Sequence, residues 1–146
     1  MSLLTNKEES FIKIPLYYSF EDTEFNFKKV KILQEEEAKT ILGNEETKDH
    51  VKILNTTWKQ LNWKEQNDLY SKASKANMAT GQVEIDYAKY RDLKIKYCLI
   101  DWDYMEKGQK IKLTPDVIDV MNADVVMALF DKYESVTTVE TSDRGN

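Results

Sequence analysis

The sequence contains few of the residues from which catalytic and metal sites are usually built. It has one cysteine, one histidine and four glycines among 146 residues. A lone cysteine excludes a disulfide within the chain and gives no metal-ligand spacing, so we expect Cys98 to be a small buried residue. His50 has no nucleophile or second metal ligand at a suitable spacing, and we expect it on the surface. Because a glycine-rich phosphate loop is also missing, the sequence predicts neither a cofactor nor a bound metal.

Long apolar runs and an excess of positive charge are missing as well. No run approaches the roughly 20 residues that span a bilayer, and the first ten residues lack the basic and apolar regions of a secretory signal. The formal net charge is -5, which disfavours nucleic acid as a partner. We therefore expect a protein of the reducing cytosol that has no membrane contact.

The charged side chains offer one weak candidate for chemistry and two basic clusters. Asp101 and Asp103 flank Trp102, and acids beside an aromatic ring can have raised pKa values, which leaves an enzyme as a minor alternative. Divalent metal binding by this pair and Glu106 is disfavoured, because the segment lacks the spacing of a calcium loop. The basic clusters are either solvated strand edges or contacts for an acidic partner. They comprise Lys28, Lys29 and Lys31, and Lys107, Lys110 and Lys112.

The first part of the chain predicts a pair of β-strands. The segment from Phe11 to Phe20 mixes β-branched and aromatic residues, as a half-buried strand requires, and Pro15 restricts this strand to a sheet edge or a bulge. The segment from Phe25 to Leu33 changes face along its length, which indicates a bulge after Lys28 or Lys29. Two strands alone are marginal, so helices must pack on one face of the pair.

Helical patterns occupy most of the remaining sequence. Asn62 and Glu65 have the spacing of a capping box, Thr114 with Pro115 marks another helix start, and Asn122 can cap the last helix. We expect Trp58 and Trp63 to share one core. The expected helices cover residues 34–42, about 45–61, 63–73, about 82–101, 115–121 and 123–133, with a loop at 74–81.

These patterns predict a helix-dominated α+β fold with an N-terminal β-hairpin or strand pair. Residues 11–134 form the expected single domain. Residues 1–10 are expected to be a flexible arm, and residues 135–146 a C-terminal tail.

The C-terminal third resembles the tail assembly chaperones of tailed bacteriophages. The resemblance is carried by an Arg-Asp-Leu helix that reaches Asp101-Trp102-Asp103, a glycine turn, the helix start KIKLTPDVID and the closing helix DVVMALFDKY. It extends over about residues 25 to 134. It implies a non-enzymatic protein of the host cytoplasm that coats the tape-measure protein before the tail tube polymerises.

Such a function requires exposed apolar and aromatic side chains that bind a helical client weakly and repeatedly. Most of the candidates could equally be core residues, and we favour the core for Trp102 and Phe130. The alternative function is a structural virion component of the neck, tail or baseplate, whose arm and tail contact adjacent subunits. In either case we expect a homo-oligomer that binds other phage proteins. The candidate partner-binding residues are Trp102, Tyr104, Met105, Met121, Met127 and Phe130.

Overall fold

A computed structural model of the chain describes residues 3 to 138. With 41% helix and 28% strand, the fold is α+β and helix-dominated, as the sequence predicts. Within residues 3 to 138, none of the helices is long and apolar enough to cross a membrane. The strands are β1 Ile12–Asp22, β2 Lys28–Leu33, β3 Lys52–Trp58, β4 Ser74–Ala76, β5 Val83–Ile85, β6 Leu99–Trp102, β7 Met105–Glu106 and β8 Gln109–Lys110. The helices are α1 Glu35–Leu42, α2 Trp63–Ala73, α3 Tyr87–Cys98, α4 Pro115–Asp119 and α5 Ala123–Thr137, with 3-10 turns at Glu8–Ser10 and Lys48–His50.

The main sheet is antiparallel and has the strand order β2-β1-β3-β6. The predicted N-terminal strand pair is confirmed, since β1 and β2 pair from Tyr17 with Leu33 to Asp22 with Lys28. Of the two alternatives predicted from Pro15, an edge strand is wrong, because β1 lies between two strands, and a bulge stays a prediction. Pro15 is tolerated beside β2 because that ladder begins only at Tyr17, so its missing N–H removes no bond from the ladder.

The predicted bulge in the second strand is also wrong. The register of β2 is continuous over its six residues. The apolar side chains change face along the sequence because the first of them precede the strand. Phe25 and Phe27 belong to the turn, where Asn26 has a φ of 61°. The Thr23 side chain closes this turn by donating to the Phe27 carbonyl at 2.8 Å. Both phenylalanines are exposed.

The predicted helix over residues 45–61 is wrong, because its central residues form β3. Leu54 and Trp58 fit a helical spacing, but the buried Thr56 between them follows the alternation of a strand. The Thr56 hydroxyl donates to the Ile14 carbonyl at 2.7 Å, which fixes β3 against β1. A β-branched threonine favours this extended backbone.

The described residues form two compact units. The first contains residues 3–12 and 57–101, the second contains residues 13–56 and 102–138, and the chain passes between them within β1, β3 and β6. The expected division into an arm, one domain and a tail stays a prediction. Helix α5 continues to Thr137, three residues into the predicted tail, whose residues 139–146 lie outside the described part.

The first unit contains α2, α3 and the β4–β5 hairpin. The predicted capping box of α2 is present, with Asn62 and Glu65 bonded reciprocally. The helix expected over 82–101 is shorter, because Asp86 caps α3 and accepts a bond from the Lys89 N–H. The loop expected at 74–81 begins with β4, which pairs with β5. Cys98 is buried as predicted.

The two tryptophans of the first unit do not share a core. Trp58 is fully buried, whereas Trp63 is 81% exposed. Trp63 is the first residue of α2, so its side chain lies at the start of the helix and not on the buried stripe that contains Leu69 and Ala73. The expectation of a shared tryptophan core is therefore wrong.

The second unit packs α1 and α5 against the strands. Tyr17, Leu33, Ala38 and Val51 form a buried cluster beside α1. The Lys132 ammonium of α5 donates to the Pro15 carbonyl at 3.1 Å and lies 5.7 Å from the Tyr17 ring. Helix α5 buries Val125, Leu129 and Tyr133.

Local caps fix where α4 and α5 begin. The Thr114 hydroxyl accepts a bond from the Val117 N–H, and Pro115 occupies the first turn of α4. The Asn122 side chain accepts bonds from the Asp124 and Val125 N–H groups. Both predicted helix starts are confirmed.

Candidate functional site

The residues considered for chemistry on sequence grounds do not converge. His50 is exposed and Cys98 is fully buried, as expected. Asp103 accepts bonds from the Asn55 backbone N–H and side-chain amide, each at 2.8 Å, so its carboxylate is bonded to β3. Among residues 3 to 138, no group of three or more histidine, cysteine, aspartate or glutamate residues is arranged to hold a metal ion.

An apolar groove in the second unit is the strongest candidate for a functional site. Its volume is about 400 Å³, within the range of ligand-binding clefts. The strands contribute Tyr18 and Phe20 of β1, Val30 of β2 and Leu54 of β3. We call it the α4 groove, because α4 and the residues that follow it form much of its lining.

The remaining lining residues come from the C-terminal part of the chain. Tyr104, Glu106 and Ile111 come from the β7–β8 hairpin and the residues beside it. Val117, Val120 and Met121 come from α4 and the turn after it, and Asn122 and Val125 come from the start of α5.

The sequence dictates much of this arrangement. Tyr18 and Phe20 are two residues apart on β1, so both side chains lie on one face of the sheet. Phe20 pairs with Val30, which brings a second strand to the same face. Val117 and Met121 are four residues apart, which places them on one side of α4 and its following turn. Apolar side chains from separate segments therefore face the same groove.

Two tyrosines supply polar atoms to the groove. The Tyr104 hydroxyl donates to Glu106 Oε1 at 2.6 Å, and this bond, followed by burial, raises the pKa of Tyr104 to about 12. Burial, followed by the charge of Asp103, raises the pKa of the Tyr18 hydroxyl. Both phenols are therefore neutral at physiological pH and can donate hydrogen bonds. Of the described lining residues, only Glu106 carries a formal charge.

Trp102 supports the groove from the core. It is 3% exposed, and its ring lies 5.5 Å from the Tyr104 ring between centroids. Its indole N–H donates to the Ile111 carbonyl at 2.7 Å. Trp102 therefore positions two lining residues without itself being available to a partner, in agreement with the core location favoured from the sequence.

The structure brings only part of the sequence-derived set together. Tyr104 and Met121 line the groove. Met105 is 59% exposed on β7 but is not a lining residue, and Met127 and Phe130 are half-buried on α5 away from it. The set as a whole stays a prediction for partner binding.

Sequence reasoning missed the strand side of the groove. Tyr18 and Phe20 show an alternation that marks a strand face, and this was the available signal. Leu54 lies in the helix predicted over residues 45–61 and Val30 in the predicted second strand, and neither prediction gives these residues a function. No local pattern links these residues to α4, because the contact depends on the tertiary fold.

Comparisons with known protein families, with curated proteins and with solved structures find no match for this chain. The resemblance to tail assembly chaperones therefore stays a prediction.

Proposed function

We propose that this chain is a non-enzymatic protein that binds another protein, and that the α4 groove receives the apolar face of a partner helix. The observation that carries this proposal is an open groove whose lining is mainly apolar in a chain of net charge -5. Val120 is 83% exposed and Phe20 is 52% exposed at this groove. Burying a valine or phenylalanine side chain contributes about 1.5–3 kcal/mol, so a partner has a clear source of binding energy.

A helix suits the groove better than an added strand. Strand addition requires free backbone groups along a sheet edge, whereas the groove is lined by side chains on a sheet face. Helix binding in a groove uses apolar anchors three or four residues apart. The tyrosine hydroxyls and Glu106 can orient such a helix through polar contacts.

We further propose that the partner is the tape-measure protein of a tailed phage, so that the chain acts as a tail assembly chaperone. The support is that the segments carrying the resemblance also supply lining residues. Ile111 and Val117 belong to the segment KIKLTPDVID, and Val125 belongs to the closing helix DVVMALFDKY. A shallow groove fits the weak, repeated binding that coating a long helical client requires.

The test is co-expression of the chain with the tape-measure protein from the same phage genome. We expect the two to co-purify, and we expect Val120→Asp to reduce the recovered tape-measure protein at least about tenfold, because the exposed valine would be covered by the partner helix and its replacement would bury a charge there. Val136→Asp is the matched control, since Val136 is 62% exposed on α5 outside the groove. Equal recovery with both variants would exclude the groove as the binding site.

Mass spectrometry of purified virions separates the chaperone from a structural component. We expect the chain to be abundant in infected-cell lysate and absent from virions. A copy number comparable with that of the tube or capsid protein would instead identify a component of the particle.

A further inference from the structure

A second cavity lies next to the α4 groove in the second unit. Its volume is about 470 Å³, and it contains two lysines, one histidine and one aspartate. We call it the lysine hollow. Its lining residues are Ser19, Phe20, Lys28, Asp49, His50 and Lys52.

The lysine hollow adjoins the groove through Phe20, which lines both. The strand register gives their spacing. Phe20 pairs with Val30, and two residues further along the same strands Asp22 pairs with Lys28. Residues two apart on a strand share one face and are separated by about 6.8 Å, so the Lys28 side chain follows Val30 on the groove face.

The lysines of the hollow are weakly neutralised. The Lys28 ammonium lies 3.9 Å from the Asp22 carboxylate, and both side chains are at least 70% exposed, so this pair contributes little. Within the described residues, no carboxylate forms an ion pair with Lys52. The lining residues alone, two lysines against Asp49, carry a formal charge of +1 that does not count the neighbouring Asp22, in contrast to the negative charge of the whole chain.

We infer that the partner helix runs along β1 and β2 and carries an acidic residue one helical turn from the apolar residue that packs on Phe20 and Val30. This inference rests on the proposed function of the groove. Four helical residues rise about 6 Å, which matches the spacing of about 6.8 Å between Val30 and Lys28 along the strand. The carboxylate then lies between Lys28 and Lys52. The net charge of -5 favours a single carboxylate over a polyanion.

A displayed library of amphipathic helices tests this inference without knowledge of the natural partner. The library keeps one apolar face and varies the charge of the flanking positions, and it is selected on the full chain and on Val120→Asp. We expect enrichment of Asp or Glu at one position four residues from an apolar anchor. Selection on the double variant Lys28→Glu/Lys52→Glu should enrich Lys or Arg at that position.

Affinity measurements on one enriched helix supply the quantitative test. Lys28→Glu/Lys52→Glu should weaken its binding about tenfold, because two exposed attractions become repulsions. The neutral variant Lys28→Gln/Lys52→Gln should give a smaller loss. Lys29→Glu is the matched control, since the adjacent residue points to the opposite face of β2 and should change affinity less than twofold.

The possible failures are distinguishable. Enrichment on the full chain but not on Val120→Asp, without a charge preference, would overturn the acidic-residue inference and leave the groove proposal intact. Equal enrichment on both proteins, or on neither, would overturn the proposed function and this inference together. Circular dichroism measures the thermal midpoint of each lysine variant. If the midpoint is the same as that of the unsubstituted chain, a loss of affinity is due to the lost charges.

Discussion

Glu65 joins three parts of the first unit, and its replacement separates their contributions to stability. Its Oε1 atom accepts a bond from the Asn62 N–H at 3.1 Å, which completes the capping box of α2. Its Oε2 atom accepts bonds from the Lys59 ammonium at 2.5 Å and from the Tyr97 hydroxyl. The Lys59 ammonium also lies 4.0 Å from the centre of the Tyr97 ring. One carboxylate therefore connects the segment before α2, the start of α2 and the end of α3.

The substitution Glu65→Gln keeps an oxygen for the cap but removes the negative charge. The Lys59 and Glu65 side chains are 25% and 15% exposed. Breaking a buried pair costs about 3–5 kcal/mol and breaking a surface pair about 0–1 kcal/mol, so we expect an intermediate loss of about 2 kcal/mol. Asn62→Ala removes only the cap and should cost about 1 kcal/mol.

Urea unfolding at pH 7, followed by circular dichroism, measures both losses, and hydrogen exchange locates them in α2 and α3. Asp92→Asn is the control, because its carboxylate is 53% exposed and forms a pair with Lys96, four residues further along α3, at 3.1 Å. Such a pair contributes only about 0.3–0.5 kcal/mol. If Glu65→Gln loses no more stability than Asp92→Asn, the proposed coupling through Glu65 is wrong.

Three further predictions concern the second unit. Leu16 is fully buried, so Leu16→Ala should lower the free energy of unfolding by about 2–5 kcal/mol in urea titration. Lys107 and Gly108 have φ values of 51° and 77°, so Gly108→Ala should destabilise the β7–β8 turn by about 1 kcal/mol, whereas Lys107→Gly should raise the thermal midpoint. The pKa of Tyr104 is about 12 in the folded chain and about 10 in the unfolded chain, so the protonated hydroxyl stabilises the fold. This contribution is fully present below pH 10 and is lost as the pH rises towards 12. Ultraviolet titration should show Tyr104 ionising near pH 12, and Glu106→Gln should lower that value.

The starts of α2, α4 and α5 could be predicted because a cap is a local interaction. The Asn62 side chain bonds the N–H of the residue three positions later, and Thr114 bonds the N–H of Val117. The amino acids that form these bonds are only three residues apart, so their spacing reveals them. The same holds for Asn122 before α5.

The strand β3 was missed because its identity depends on a distant partner. Leu54 and Trp58 satisfy both a helical and a strand pattern, since four residues are about one helical turn and two strand repeats. The Thr56 hydroxyl bond to the Ile14 carbonyl connects residues 42 positions apart. Only this tertiary contact shows which period applies.

Helix α3 was overextended for a related reason. Val83 and Ile100 continue the apolar spacing of the helix, yet they lie in β5 and β6. The Asp86 cap competes with continuation of the helix towards its N-terminus. The pairing of Val83 with Ala76 then gives the preceding residues an extended structure. Apolar periodicity alone could not locate either boundary.

The α4 groove shows why only a small part of a candidate site can be predicted from the sequence. Tyr104 and Met121 are candidates because they are aromatic or apolar residues of the C-terminal third, which carries the resemblance. Their counterparts Phe20 and Val30 come from the N-terminal strand pair, and only the folded second unit places all four on one groove. A helix that contacts both sets therefore binds the folded unit and not the unfolded chain. A free helix concentration of 100 times its dissociation constant would then add about 2.7 kcal/mol to the stability of that unit. Helix binding and folding of the groove would therefore be thermodynamically linked.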